Sequence, residues 1–152
     1  MQLSQKEMDL LKDLKGQEKL CVEKYSQHAQ AARDSQLKQL LNDIGSVEQR
    51  HLDTITQMEK GTVSQTSQQS GQKPTGGFTA TYTMGDNEDK KNDCYICSDL
   101  LATEKHVSSL YDTCIFEFKD EQLRTTLNHI QSEEQEHGKL IYDYMSKNNM
   151  YS

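Results

Sequence analysis

Several residue types are scarce in this chain, and each scarcity excludes a class of protein. Its 152 residues contain no tryptophan and one proline, Pro74, so the segments on either side are free of proline breaks and favour long helices. No apolar run approaches the roughly 20 residues that a membrane span requires, and residues 1–10 lack the apolar stretch of a signal peptide. We therefore expect a protein that is made in the cytosol and has no membrane span.

Positive charge and cysteine are also limited. Seventeen Lys and Arg against 24 Asp and Glu give a net charge of -7 at pH 7, and the basic residues are scattered. Nucleic acids and anionic membranes are therefore not expected partners. Four cysteines do not form a dense disulfide framework in a chain of this length, so we expect mostly thiols. The length and the 33% hydrophobic content allow one domain with one core.

What the sequence does contain is a repeat of itself. Residues 13–51 align without a gap with residues 99–137, each residue matching the one 86 positions later. Matching apolar residues would follow from two halves that fold alike. The repeat also matches ionisable residues on stripes that helical periodicity predicts to face a core, and this conflict indicates where function lies. The matched pairs are Glu18 and Glu104, Glu48 and Glu134, and His51 and His137.

The apolar periodicity and the capping motifs predict four helices in two hairpins. Side-chain caps begin the helices, and a glycine ends the second. The predicted limits are a capping box at Ser4 and Glu7 and an end near Ala32 for helix 1, Asp34 and Gly61 for helix 2, a start near Asn92 or Asp93 for helix 3, and Asp120 as the cap of helix 4.

A segment rich in Gln, Ser, Thr and Gly separates the two halves. It spans residues 61–93, between hairpin 1 in residues 1–60 and hairpin 2 in residues 94–149, within one domain over 1–152. A helix of roughly 28 residues is about 42 Å long, a distance that a tight turn cannot cross and that this linker spans easily. The predicted fold is an all-α, antiparallel four-helix bundle of two repeated helical hairpins joined by a long crossover linker.

The hairpin geometry predicts that the matched acids and histidines meet. About a turn at Asp34, Glu18 and Glu48 lie equally far along their helices, and His51 projects from the same face as Glu48. The second half repeats this geometry about Asp120. Four buried carboxylates are untenable unless something neutralises their charge. Two divalent metal ions would do so, and mixed oxygen and nitrogen donors suit iron, manganese or zinc.

Residues beside this predicted centre have more than one interpretation. Tyr25 and Tyr111 face the core, where they are expected to pack and to offer a hydroxyl to a ligand carboxylate; donation of an electron is the alternative. Three glutamates border the ligand stripe and are either extra ligands or part of a charged outer face. These are Glu23, Glu133 and Glu136.

One Glu from each of two helices and Glu-x-x-His from each of the other two resemble the ligand pattern of ferritin-like di-metal carboxylate proteins. The chain resembles more specifically the spore coat F family of spore-forming bacteria, through segments such as LLATEKHVSSLYDTCIFEFKDEQLR, LNHIQSEEQEHGKLIYDYM and NNMY. The resemblance implies a ferritin-like fold, a place in the spore coat or developing spore, and other coat proteins as partners, with a homodimer left open. The metal ligands that it implies are Glu18, Glu48, His51, Glu104, Glu134 and His137.

Two departures from better-known relatives of this fold narrow the chemistry. Rubrerythrins carry two CxxC pairs, whereas this chain has one, Cys94 and Cys97, so the rubredoxin module is missing. That pair is expected near the start of helix 3, where a helix N-terminus favours thiolates, and redox or cross-linking roles stay open. Only a short tail follows helix 4, so bulk iron storage is not expected.

Three functions are compatible with these features. The first is a spore coat protein with a buried two-metal site, most readily of iron or manganese, that serves coat structure or protection. The second is a di-iron oxidase or peroxidase of rubrerythrin-like type without the rubredoxin module. The third is a metal-free structural bundle in which the carboxylates are protonated or paired with the histidines.

Overall fold

Four helices form an antiparallel bundle in the computed structural model, which describes residues 2–62 and 73–150. Short turns join the first helix to the second and the third to the fourth, and no strand occurs in the described residues. The all-α class and the four-helix bundle are therefore confirmed. The helices are α1 (Gln5–Ala31), α2 (Ser35–Glu59), α3 (Glu88–Glu117) and α4 (Glu121–Lys147).

The helix directions explain the long connection between the halves. The contacts between α1 and α3 pair early residues of one helix with late residues of the other, so these two helices are antiparallel. The same holds for α2 and α4. It follows that α2 and α3 run in the same direction, and the chain must travel the length of the bundle between residues 60 and 87.

The predicted helix limits are largely confirmed. Ser4 and Glu7 form a complete capping box, in which each side chain accepts a hydrogen bond from the other residue's backbone N–H. Asp34 caps α2 and Asp120 caps α4 through their side-chain oxygens. Gly61 lies just beyond α2 with φ 78, a left-handed conformation that a glycine adopts without steric cost.

The start of α3 is the exception. This helix begins at Glu88, with the Asn87 side chain as its cap, and not at Asn92 or Asp93. The inward positions of the added turn are charged, so apolar periodicity could not reveal it. Lys90 is buried and donates to backbone carbonyls of the preceding linker. Asp93 is fully buried and accepts a hydrogen bond from the backbone N–H of Arg33, in the turn between α1 and α2.

Two carboxylates bind the hairpins to each other. Asp93 of α3 accepts hydrogen bonds from the backbone N–H groups of Arg33 and Asp34, in the turn between α1 and α2. Glu7 of α1 accepts one from the N–H of Lys119, in the turn between α3 and α4. Glu7 and Asp93 are 86 positions apart, as are Arg33 and Lys119, so the repeat extends further than the sequence comparison recognised. Each hairpin thus caps the other's turn.

The apolar core consists of two clusters with a polar layer between them. One cluster lies at the end with the α1–α2 turn and includes Leu41 and Ile141, and the other lies at the opposite end and includes Leu14 and Leu127. The six matched ionisable side chains occupy the layer between. In the described part of the chain, no helix is both long and apolar enough to cross a membrane.

Candidate metal centre

All six ionisable side chains singled out from the repeat lie together in the polar layer. Each is at most 3% exposed. Their ligand atoms form two groups, each with its atoms within 4.8 Å of one another, and the two groups share Glu48 and Glu134. One group is completed by Glu18 and His51, and the other by Glu104 and His137. The arrangement therefore provides two adjacent places of three carboxylates and one imidazole each.

The closest contacts in the centre run between the hairpins. Nδ1 of His51 lies 2.7 Å from Oε1 of Glu134, and Nδ1 of His137 lies 2.9 Å from Oε1 of Glu48. The two imidazole rings stack with their centroids 6.0 Å apart. Because each histidine meets the glutamate of the opposite hairpin, the centre requires both halves.

Two buried tyrosines hold the remaining pair of glutamates. The Tyr25 hydroxyl donates to Oε1 of Glu104 at 2.5 Å, and the Tyr111 hydroxyl donates to Oε1 of Glu18 at 2.7 Å. Burial, followed by the negative charge of the bonded glutamate, raises the pKa of both phenols well above the usual range. Both hydroxyls therefore remain protonated donors, which orient one carboxylate oxygen and leave the other available.

Several polar atoms of the centre lack a hydrogen bond. Among the described residues, no hydrogen bond of good geometry is made to Oε2 of Glu18, Glu48 or Glu104, or to either carboxylate oxygen of Glu134. Nδ1 of His51 also makes no bond of good geometry, although it lies close to Glu134. Each unsatisfied buried group costs about 1–3 kcal/mol, more when it is charged. So many oxygen and nitrogen atoms without hydrogen bonds at one point are better explained as ligands of a cation than as parts of a closed hydrogen-bond network.

Burial and mutual repulsion govern the protonation of the carboxylates. Burial, and then the charge of Glu48, raise the pKa values of Glu18 and Glu134 well above the usual range. Glu48 behaves in the opposite way. Burial would raise its pKa, yet the charges and hydrogen bonds of His51 and His137 hold it well below the usual range. One carboxylate is therefore ionised between two imidazoles.

The neighbouring carboxylates also change the pKa values of the two histidines. Burial alone would lower their pKa values, because it disfavours the charged imidazolium. The charge of Glu48 nevertheless raises the pKa of His51 to about 10, and hydrogen bonds with Glu104 and Glu48 raise that of His137 to about 9. The raised pKa values of Glu18, Glu134 and the two histidines thus favour their protonated forms when no cation is bound. A bound cation has to displace these protons, so binding should strengthen as pH rises.

Glu133 has a place that the sequence left open. Its Oε1 lies 2.9 Å from Nε2 of His51, on the side of the ring away from the carboxylate centre, and 3.4 Å from Nε2 of His129. A carboxylate on the far nitrogen of a ligating histidine fixes the ring's orientation and makes it a stronger ligand. Glu23 and Glu136 are exposed, so of the three bordering glutamates only Glu133 joins the centre.

The cysteine pair lies elsewhere and differs from expectation. Because α3 begins at Glu88, Cys94 and Cys97 lie within the helix and not at its N-terminus. Cys97 is fully buried, and burial followed by the charge of Asp93 raises the pKa of its thiol far above the usual range. The helix N-terminus therefore does not favour a thiolate at Cys97. All four cysteines are free thiols, as expected from composition.

Comparison with known proteins adds a family. Residues 92–152, which include most of α3 and all of α4, match the Coat F domain. No curated protein and no solved structure matches the chain. The match contains Glu104, Glu134 and His137, which are half of the candidate metal centre. Residues 92–152 of this chain are therefore similar to the Coat F domain.

Proposed function

We propose that this chain is a spore coat protein whose bundle holds two divalent metal ions, iron or manganese, in the polar layer. The Coat F domain supports a role in the spore coat. The observation that carries the metal proposal is the set of buried oxygen and nitrogen atoms without hydrogen bonds in this layer. Four carboxylates and two neutral imidazoles around two ions of charge +2 would be electrically balanced.

The residues divide between the two ions. One ion would be held by Glu18 and His51 and the other by Glu104 and His137, while Glu48 and Glu134 would contribute to both. Carboxylate and imidazole donors without a thiolate favour iron, manganese or zinc. Iron or manganese, once bound, would supply one-electron chemistry with oxygen or peroxide.

The chain's own residues perform the positioning. Tyr25 and Tyr111 keep their protons and hold Glu104 and Glu18 by one oxygen each. Glu133 fixes the ring of His51 so that Nδ1 faces the centre. The apolar clusters above and below the layer exclude bulk water from it. Such a site suits either oxidant removal in the coat or a stabilising cross-link between the hairpins.

A metal-free bundle is the second candidate, and the short contacts between histidines and glutamates favour it. Imidazolium rings beside Glu48 and Glu134 would neutralise part of the charge without any metal. That arrangement leaves the orphaned oxygens of Glu18 and Glu104 without a partner. The two candidates therefore differ in a measurable quantity, the metal content.

Elemental analysis after reconstitution with Fe(II) or Mn(II) tests the proposal. The wild-type protein should hold about two equivalents, as a two-metal site requires. Glu48→Gln combined with Glu134→Gln should lose both ions, because each of these side chains serves both groups of ligands. Glu136→Gln, an exposed change on the same helix, is the matched control. Wild-type protein without metal, or unchanged content in the double variant, would refute the assignment.

Enzymatic activity is a separate test. If the Fe(II)-loaded protein is a peroxidase or oxidase, mixing with peroxide or oxygen should oxidise its iron faster than free Fe(II) at the same pH. Oxidation no faster than that of free Fe(II) would leave the structural and protective role alone. Gel filtration of the same preparation would distinguish a monomer from the homodimer that the sequence leaves open.

A further inference from the structure

A cleft on the surface between α3 and α4 leads to the candidate metal centre. Its volume is about 510 Å³, and the side chains that line it include Glu104 and Glu134 from the centre. Leu101, Gly138 and Tyr142 contribute to its walls. A path from solvent to buried ligands is what a reacting molecule needs, and a purely structural ion does not require one.

The cavity described in the other hairpin is smaller and does not reach the candidate ligands. A cavity of about 220 Å³ lies between α1 and α2, and its lining includes Val22 and Gly45 but none of the six candidate ligands. The repeat explains the difference residue by residue. Where α4 has Gly138, α2 has Leu52, and where α3 has Ser108, α1 has Val22. Larger apolar side chains thus occupy the positions that border the cleft in hairpin 2.

Gly138 has no packing reason to be a glycine. A Cβ built at this position would meet no atom within 4 Å. A glycine inside a helix costs about 1 kcal/mol relative to alanine, and nothing in the surrounding structure offsets that cost. The absence of a side chain at Gly138 leaves open space in the cleft that Glu104 and Glu134 also line.

The chemistry of the cleft limits what it can admit. Its wall is partly apolar, through Leu101, Gly138 and the Tyr142 ring, and Lys105 and Lys139 belong to its lining. Lys139 also pairs with Asp143 at 2.7 Å. Cationic groups beside an apolar wall favour a small neutral or singly anionic molecule over a cation. A molecule of this class with one oxygen or nitrogen donor could bind directly to a metal ion.

We propose that small metal-binding molecules reach the centre from one side only, through the cleft that Gly138 opens between α3 and α4. This inference rests on the proposed function. An ion held by Glu104 and His137 would then be the one that exchanges a ligand, since Glu104 lines the cleft and Glu18 lines neither of these two cavities. An ion held by Glu18 and His51 would be the less accessible of the two.

Azide binding to the Co(II)-loaded protein tests this one-sided access. Azide is a small anion with a nitrogen donor, and its coordination changes the visible absorption of Co(II). The metal content of every preparation is measured first. Gly138→Leu reproduces the side chain of hairpin 1 and should weaken azide binding at least about tenfold, the change that about 1.4 kcal/mol produces. Gly16→Leu, the same change at an exposed helical glycine outside the cleft, is the matched control and should leave the wild-type Kd within about twofold.

The outcomes separate the two proposals. Wild-type protein without cobalt would refute the metal centre itself, and one-sided access with it. Equal azide affinity in Gly138→Leu and wild-type proteins with equal cobalt content would refute the access route alone. Azide binding weakened as much in Gly16→Leu as in Gly138→Leu would show that the loss does not depend on the cleft and would likewise overturn it. If Gly138→Leu loses cobalt, Ser108→Val decides in its place, with weaker azide binding expected and unchanged binding contradicting the route.

Discussion

The two hairpins each place two glutamates and one histidine at the same level of the bundle but surround them differently. In hairpin 2, Glu133 bonds to the far nitrogen of His51, while the equivalent position in hairpin 1 is the buried apolar residue Val47. Gly138 opens the surface of hairpin 2, while Leu52 stands at that place in hairpin 1. The repeat is thus symmetric in the candidate ligands but asymmetric in the residues that hydrogen-bond to them and in their access to solvent.

If the layer holds two metal ions as proposed, this difference suits one half of the centre to retaining its ion and the other half to exchanging a ligand. His51, with Glu133 behind it, is the better oriented and more basic ligand. His137 has no equivalent carboxylate in hairpin 1, and it belongs to the group of ligands that borders the cleft. Changes that remove each difference in turn test this division of roles.

The largest expected effect comes from removing the two proposed metal ions, which would be bound by residues of both hairpins. Chelation should empty both places, leaving buried acids without a cation, and lower the unfolding temperature by on the order of 10 °C. Differential scanning calorimetry with and without chelator measures it. The Glu48→Gln and Glu134→Gln double variant is the control, because it should not respond to chelator. An unfolding temperature that does not depend on metal would contradict a stabilising centre.

The turn caps offer the next test, since they differ in strength. Asp93 is fully buried and accepts from two backbone N–H groups and from the Tyr82 hydroxyl, whereas Glu7 accepts from the N–H groups of Ser4 and Lys119. Asp93→Ala should reduce the free energy of unfolding by about 3 kcal/mol and Glu7→Ala by about 1 kcal/mol. Urea titration measures both, and equal losses would show that the two ends are equally held.

Glu133→Val removes the carboxylate beside Nε2 of His51 and introduces the residue found at the equivalent position of hairpin 1, Val47. It should weaken one of the two bound ions about tenfold, the lower end for loss of such a partner, and leave the other ion nearly unchanged. Stepwise titration of the apoprotein with Co(II), followed by calorimetry, resolves the two affinities. Glu136→Gln serves as the control for a loss of negative charge on α4. Two affinities that fall together would mean that Glu133 acts through general charge and not through His51.

The smallest expected effect is a pH dependence at one end of the bundle. The hydrogen bond from the Ser4 N–H lowers the pKa of Glu7, and the Lys119 N–H adds to this against the opposing effect of burial. Its stabilisation is therefore present above about pH 4.5 and is lost as pH falls through the lowered pKa. The difference in unfolding free energy between wild type and Glu7→Gln should be larger at pH 7 than at pH 3. The exposed change Asp9→Asn should show no such trend.

The level of the centre could be predicted from the sequence because helix geometry is regular. Equal distances from the turns at Asp34 and Asp120 were enough to bring Glu18, Glu48 and their counterparts to one height. The start of α3 could not be predicted in this way, because its inward residues Lys90 and Asp93 are charged, and their partners are backbone groups.

Two details depended on tertiary structure. Glu133 lies beside the ligand stripe, and only the packing of α4 against α2 shows that it meets the far side of His51. The open space at Gly138 depends equally on what the neighbouring helix does not fill. A signal for both was present in the repeat, at the positions where the halves disagree, since Glu133 aligns with Val47 and Gly138 with Leu52. These two mismatches between the repeats therefore mark both positions in the sequence.

The exchange of turn caps has a consequence for assembly. An isolated hairpin would have a turn with uncapped backbone N–H groups and an open face carrying two glutamates and a histidine. Each hairpin is therefore the other's binding partner, and the connection from residue 60 to residue 87 sets the effective concentration at which they meet. The chain thus resembles a heterodimer whose two similar halves are joined by a linker, so each half can carry substitutions that the other lacks.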